Sequence, residues 1–186
     1  RVTRQMPNID LNTLAAEQDA PLPPVHTWQP DFCGDMDMLI KSNGDWIHEG
    51  QKIQRPAMVK MFSRILWQEN DQYFLVTPVE KVRIQVEDAP FLITSWESAE
   101  SEEGRVIVFT SMTGDVCVLG ADCDLWLEDF KGEERPYINM RYGMRGLIGR
   151  NVFYDLANHL VPVNTAEGSG MGLISGTKQY LLVSDS

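Results

Sequence analysis

The sequence has no apolar run long enough to cross a bilayer as a helix, because its hydrophobic residues are scattered along all 186 positions. They still make up 43% of the chain, which excludes wholesale disorder. This length suits one large domain or two small ones. We therefore expect a folded protein without a membrane partner.

Basic residues are scarce. Sixteen Lys and Arg face 27 Asp and Glu, so the formal net charge is −11. Proteins that grip long duplexes rely on clustered Lys and Arg, and a broadly acidic surface opposes such binding. We expect no duplex nucleic acid and no anionic membrane surface as partner, whereas a small local pocket is compatible with this charge.

Cysteine and histidine are also few, with three of each. The N-terminal residues show no signal-peptide pattern, and Arg1 in place of Met suggests a trimmed start. An odd number of cysteines without a secretion signal favours reduced thiols and a cytoplasmic protein. The histidines and cysteines lack metal-ligand spacing, so we expect no metal and no cofactor.

Two stretches of the chain resemble copies of one unit. At a constant offset Arg55 matches Arg150, and Met58, Met61 and Ile65 match Phe153, Leu156 and Leu160. Upstream, Asp35-Met-Asp37 resembles Asp122-Cys-Asp124. Amphipathic helices often match by chance, but agreement of two separated blocks in the same order favours a duplication.

The periodicity predicts an α+β fold of duplicated, mostly antiparallel β units, each with one packed helix. We expect a helix at 10–18 and an extended arm within residues 1–30, a first repeat unit over 31–88 and a second over 89–186. The first helix begins near Pro56 and the second near Asn151, while Asn43-Gly44 marks a hairpin. The glycine-rich stretch 168–172 lacks the strand-before, helix-after context of a phosphate loop, so we predict a flexible turn.

The segment 135–150 stands out because it holds four arginines and no acid. Guanidinium groups suit phosphate or carboxylate, and tyrosine rings stack on bases. If a strand runs from Tyr137 to Arg141, these two side chains share one face with Asn139. The alternative is that the arginines pair with the chain's own carboxylates, for instance Glu80, Glu87 or Asp88.

Several strings in the chain are similar to a known bacterial family, the domain of unknown function 1285. They are Cys33-Gly-Asp-Met-Asp-Met, Asn43-Gly-Asp-Trp46-Ile-His48, Thr77-Pro-Val-Glu80-Lys81, Val86-Glu87-Asp88-Ala-Pro90-Phe91, and Arg135-Pro-Tyr137 leading to Asn151-Val-Phe153-Tyr154. The resemblance runs from about Pro24 to the C-terminus. It implies a duplicated core, a C-terminal half superficially like a pleckstrin-homology fold, and a role in signalling with a nucleotide-like ligand at the domain interface. It carries no catalytic residues.

Together these observations predict a non-catalytic ligand-binding or signalling module. We expect a small anionic, nucleotide-like ligand between the two halves, where packed units leave a concave seam. The predicted contacts are Arg55, Lys81, Tyr137, Arg141 and Arg150, with Tyr137 as the stacking surface. The alternatives are a small hydrolase that uses Cys33 or an aspartate pair, and a purely structural interaction domain.

Overall fold

The computed structural model describes residues 21–185, and the predicted helix at 10–18 lies outside them. The chain divides into two compact units between Glu87 and Asp88. Each unit contains a six-stranded mixed sheet, and the second adds a three-stranded sheet. The fold is α+β with an internal duplication, as the periodicity predicts.

Over residues 21–87, the first unit holds six strands and one α-helix. They are β1 Phe32–Ile40, β2 Trp46–His48, β3 Gln51–Lys52, α1 Pro56–Ser63, β4 Leu66–Glu69, β5 Gln72–Val76 and β6 Lys81–Val86. The sheet order is β3-β2-β1-β6-β5-β4, with β1 parallel to β6 and the other pairs antiparallel. The strands β1 to β3 form one meander and β4 to β6 form another. The two meanders join at the centre of the sheet, where the first strand, β1, pairs with the last strand, β6.

The predicted hairpin and helix start in this unit are both observed. Gly44 adopts a φ of 93° in the turn between β1 and β2, a conformation that glycine accepts without strain. Pro56 opens α1, where its missing N–H costs nothing. The helix buries Val59, Met61 and Phe62, and the Phe62 ring stacks on Trp46 with centroids 6.4 Å apart. A hydrophobic core therefore forms within this unit.

Over residues 88–185, the second unit holds nine strands and one α-helix. They are β7 Phe91–Ser101, β8 Gly104–Ser111, β9 Val116–Val118, β10 Leu125–Phe130, β11 Glu133–Asn139, β12 Arg145–Ile148, α2 Arg150–Ala157, β13 Val161–Thr165, β14 Gly168–Ser175 and β15 Lys178–Ser184. The large sheet has the order β10-β11-β12-β7-β8-β9, with β7 parallel to β12. The strands β13, β14 and β15 form the small antiparallel sheet.

Both large sheets follow the same path. In each, the first strand of one meander lies parallel to the last strand of the next. The sheets therefore equate β1 with β7, whereas the matched sequence blocks equate the aspartates of β1 with those just before β10. Arg55 and Arg150 do fall at helix starts, each between two three-strand meanders, but their helices hold different places in the sheet order.

The glycine-rich stretch 168–172 is not the predicted turn, because it forms the first part of β14. Its glycines permit close strand approach. A Cβ at Gly170 would lie 1.9 Å from the Val183 carbonyl oxygen, and one at Gly172 would lie 1.8 Å from that of Tyr180. Glycine here makes room for the neighbouring β15 backbone, and the pairing carries an irregularity between Met171 and Gly172.

Candidate functional site

Two predicted contacts lie in the first unit. Arg55 directly precedes α1, is exposed, and makes no ion pair or side-chain hydrogen bond with any residue that the structure describes. Lys81 begins β6, where its ammonium pairs with Glu69 and lies 4.5 Å from the centroid of the Phe74 ring. Of these two cations, Arg55 is the one available to an anion.

Tyr137 is fully buried in β11, with 0% of its surface exposed. Its hydroxyl donates to both carboxylate oxygens of Asp88, at 2.9 and 2.8 Å. Burial and then this hydrogen bond raise the pKa of Tyr137 above its ordinary value. The ring stacks on Trp126 and also contacts the Arg145 guanidinium, 4.6 Å from its centroid. With the ring enclosed, the structure argues against the predicted stacking on a ligand.

Arg141 lies beyond the end of β11 at Asn139, so the condition for it to share a strand face with Tyr137 is not met. It sits in a 3-10 turn, pairs with Asp115, and places its guanidinium 4.7 Å from the centroid of the Phe91 ring. Its side chain is only 12% exposed. Because a carboxylate already neutralises this largely buried charge, the structure does not support Arg141 as an anion contact.

Two other arginines of the segment, Arg135 and Arg145, contact Asp88, as the alternative interpretation predicts. The Asp88 side chain is 0% exposed and lies 2.9 Å from Arg135 Nη1 and 3.5 Å from Arg145 Nη2. Since a buried carboxylate without partners is costly, these guanidiniums and the Tyr137 hydroxyl make its burial tolerable. Arg145 also pairs with Glu128.

Glu133 lies between two further guanidinium groups. Arg135 donates to its Oε2 through Nε at 3.2 Å and Nη2 at 3.0 Å, and Arg150 Nη2 donates to its Oε1 at 3.2 Å. Hydrogen bonds from Arg135, with a smaller contribution from Arg150, lower the pKa of the Glu133 carboxyl. The side chains of Glu133 and Arg150 are 49% and 69% exposed.

We name this group the arginine cluster. It consists of Arg135, Arg145 and Arg150 with the carboxylates of Asp88, Glu128 and Glu133. Strand alternation places residues 133, 135 and 137 on one face of β11, and the β10 register sets Glu128 opposite Arg135 and Trp126 opposite Tyr137. The same alternation in the sequence was the signal that could have identified Glu133.

A separate concavity of about 510 Å³ opens within the first unit. It is lined by Asp35, Asp71, Gln72, Tyr73, Arg83, Ile84, Gln85 and Val86. Arg83 donates to both oxygens of Asp35, at 2.5 and 3.0 Å. With that cation paired and Asp71 also present, this lining disfavours an anion.

Other chemistry considered from the sequence finds little geometric support. The Cys33 thiol donates to the Asp31 carbonyl oxygen at 3.2 Å, a contact that does not activate it as a nucleophile. Within residues 21–185, no three His, Cys, Asp or Glu side chains gather as a metal ion requires. In that same part of the chain, no helix is both long and apolar enough to span a membrane.

Family models cover most of the chain. Residues 23–89 match the N-terminal domain of the domain of unknown function DUF1285, and residues 90–182 match the C-terminal domain of the DUF1285 proteins of unknown function. The chain belongs to the DUF1285 family. The resemblance seen in the sequence strings is therefore confirmed.

Solved DUF1285 structures share this fold. A DUF1285 family protein from Silicibacter pomeroyi is 38% identical, with a TM-score of 0.80 over 92% of this chain and 95% of its own. One from Shewanella baltica is 31% identical, with a TM-score of 0.54 over 66% of this chain and 91% of its own. No curated protein matches the chain significantly. The DUF1285 membership thus establishes the architecture, and a function has to be argued from the side chains.

Proposed function

We propose that this protein is a non-catalytic ligand-binding module that recognises a small anion, a carboxylate or phosphate compound, at the arginine cluster. The observation that carries the proposal is that Arg135 and Arg150 both bind the Glu133 carboxylate. Two guanidinium groups hold its carboxylate, which shows that an anionic group of this size fits between them. Guanidinium forks suit planar carboxylates and phosphates alike.

Exposure makes this internal carboxylate replaceable. Exposed ion pairs contribute only about 0–1 kcal/mol, since water screens them and the side chains lose freedom. A ligand anion therefore replaces Glu133 with little loss of free energy. The buried Asp88 carboxylate meanwhile holds Arg135 and Arg145 in position. The buried part of the cluster positions the donors, and the exposed part admits the ligand.

An exposed aromatic ring lies beside the cluster. Tyr154 follows Arg150 by four residues in α2, so the two side chains share one helix face. Tyr154 is exposed, unlike the enclosed Tyr137. We assign to Tyr154 the base-stacking role that the sequence suggested for Tyr137, which makes nucleotide-like anions the preferred subset. The proposal includes a signalling role, in which the bound ligand would determine which partner protein this protein binds.

The charge of the whole protein sets the size of this ligand. Three arginines face three carboxylates in the cluster, and the chain carries a net charge of −11. Long polyanions meet repulsion over many contacts, whereas a small anion needs only the local donors.

Calorimetry with adenosine monophosphate, citrate and inorganic phosphate tests the proposal. We expect Arg150→Gln to weaken binding of the best probe by about tenfold or more, the worth of one charge-assisted hydrogen bond. Glu133→Gln should tighten binding, because it removes the competing carboxylate charge. Arg105→Gln is the matched control, since Arg105 is an exposed arginine of the same unit paired with Glu100.

The outcomes separate the alternatives. If none of the three probes binds, or if Arg150→Gln and Arg105→Gln weaken binding equally, the arginine cluster is not the site. A mutation-sensitive turnover in a broad substrate screen, lost in Cys33→Ala, would instead establish the hydrolase.

A further inference from the structure

Two buried cysteines of the second unit touch each other. Cys117 lies in β9, Cys123 lies in the turn before β10, and their sulfur atoms are 2.9 Å apart. Both are buried, whereas Cys33 in the first unit is partly exposed. The sulfur contact is independent of the arginine cluster.

A hydrogen-bonded turn holds the two thiols together. The amides of Asp122 and Cys123 donate to the Val118 carbonyl oxygen, at 2.8 and 3.3 Å. The Gly120 amide donates to the Cys123 carbonyl oxygen at 2.8 Å, and the Asp122 carboxylate accepts from the Val118 amide at 2.9 Å. Because these hydrogen bonds fix the turn from Val118 to Cys123, the two sulfur atoms are already in contact and need no large movement of the chain to react.

The two thiols are not equivalent. Cys123 donates its S–H to Cys117 Sγ, and this hydrogen bond lowers the pKa of Cys117. The same bond, followed by burial, raises the pKa of Cys123. Since the thiolate is the reactive form, the lowered pKa makes Cys117 the more reactive of the two sulfurs toward an oxidant. Cys123 is then in place as the second, resolving thiol.

We propose that Cys117 and Cys123 are a redox-active pair that forms a reversible intramolecular disulfide when hydrogen peroxide oxidises the protein. Cys117 Sγ attacks one peroxide oxygen and breaks the O–O bond, which leaves a sulfenic acid on Cys117 and releases water. Cys123 Sγ then attacks Cys117 Sγ, the S–S bond forms, and the sulfenic oxygen departs as a second water. Two thiols and one hydrogen peroxide thus give one disulfide and two waters, and a dithiol reductant reverses the change.

The turn that carries these cysteines is bonded to the small sheet. Ser175 Oγ donates to the Leu119 carbonyl oxygen at 2.6 Å, and the Tyr180 hydroxyl donates to Asp124 at 2.6 Å. A disulfide brings the sulfurs to about 2.05 Å, closer than they now lie. Oxidation therefore pulls on the backbone between these two anchors and reaches β14 and β15.

Peroxide treatment of the native Cys33→Ser protein, followed by peptide mapping, tests the pair. We expect a disulfide between Cys117 and Cys123 with loss of two hydrogens, and its reversal by dithiothreitol. Hydrogen exchange should change at Ser175 and Tyr180 upon oxidation. A disulfide that appears only in denaturant, while the native protein keeps both thiols, would overturn the proposal.

Single serine variants in the Cys33→Ser background test the order of attack. In Cys123→Ser, dimedone should trap a sulfenic acid on Cys117, because no neighbouring thiol remains to convert it into a disulfide. In Cys117→Ser, Cys123 should react more slowly than Cys117 does in Cys123→Ser, because the serine hydroxyl can still accept its S–H and burial still raises the pKa of Cys123. Equal rates at the two sites would contradict the assignment, and the mapping of the Cys33→Ser protein decides the disulfide even if a variant fails to fold.

Discussion

Asp88 shows how one buried carboxylate organises its surroundings. It has no exposed side-chain surface, yet Tyr137, Arg135 and Arg145 all contact it. Removing a single member of such a buried group leaves the others with unmatched hydrogen-bonding capacity. The residue is therefore a structural anchor on which the partly buried Arg135 and Arg145 depend.

Asp88→Asn should lower the free energy of unfolding by about 2–4 kcal/mol, because it removes the charge that offsets two guanidinium groups. Tyr137→Phe keeps the ring and loses only the donated hydrogen bond, so about 1–2 kcal/mol is expected. Urea denaturation followed by tryptophan fluorescence measures both. If Asp88→Asn left the free energy of unfolding unchanged, the buried ion pairs would contribute nothing to stability.

Residue roles were only partly predictable from the sequence. The arginine-rich segment could be identified from composition alone, which offers Asp88 only as one of three candidate partners beside Glu80 and Glu87. The enclosure of Tyr137 could not, because it depends on the β10 register that sets Trp126 opposite it. The contact between Cys117 and Cys123 likewise depends on a turn that spacing does not reveal.

At the scale of elements, β14 shows why glycine is ambiguous in a sequence. Gly170 and Gly172 resemble loop residues, but they occupy the strand because the β15 backbone leaves no space for a Cβ. Long strands such as β7 and β8 were predictable from their β-branched and aromatic residues. Short strands such as β4 and β12 were not, since four residues do not establish a period.

Gly172→Ala should destabilise the second unit by about 1–3 kcal/mol, since its Cβ would meet the Tyr180 carbonyl oxygen and force β14 from β15. Thermal unfolding and hydrogen exchange of residues 168–184 measure the effect. Met171→Ala, at the partly exposed neighbouring position, is the matched control and should change stability by less than about 1 kcal/mol. Equal stability of the two variants would mean that the strand tolerates a side chain at 172.

At the scale of the molecule, duplication and acidity are the dominant features. The duplication was predictable because strand and helix blocks recur in order, but their alignment does not follow the sheets, where β7 rather than β10 corresponds to β1. Amphipathic patterns recur easily between unrelated helices, so matching helices are a poor guide to which strands of the two sheets are equivalent. Net charge needs no structure at all and bears directly on partners.

A 20-base-pair DNA duplex should show no binding to this protein at micromolar concentration, even at about 50 mM salt, where phosphate contacts are strongest. The net charge of −11 opposes the approach of a second polyanion. Fluorescence anisotropy of labelled duplex measures this. Binding that weakens steeply with added salt would reveal a basic surface that the charge balance does not predict.

The parallel pairing at the centre of each large sheet has a consequence for synthesis on the ribosome. Phe32 pairs with Lys81 and Phe91 with Gly146, so the central contact joins the two ends of each sheet-forming segment. The outer hairpins can form as soon as they emerge, but the central pair has to wait for the last strand to leave the exit tunnel. Pairing so distant in sequence raises the contact order and slows folding. Each nascent sheet therefore exposes two inner strand edges, besides its outer ones, until its final strand arrives. A chaperone that covers such edges would act in that interval.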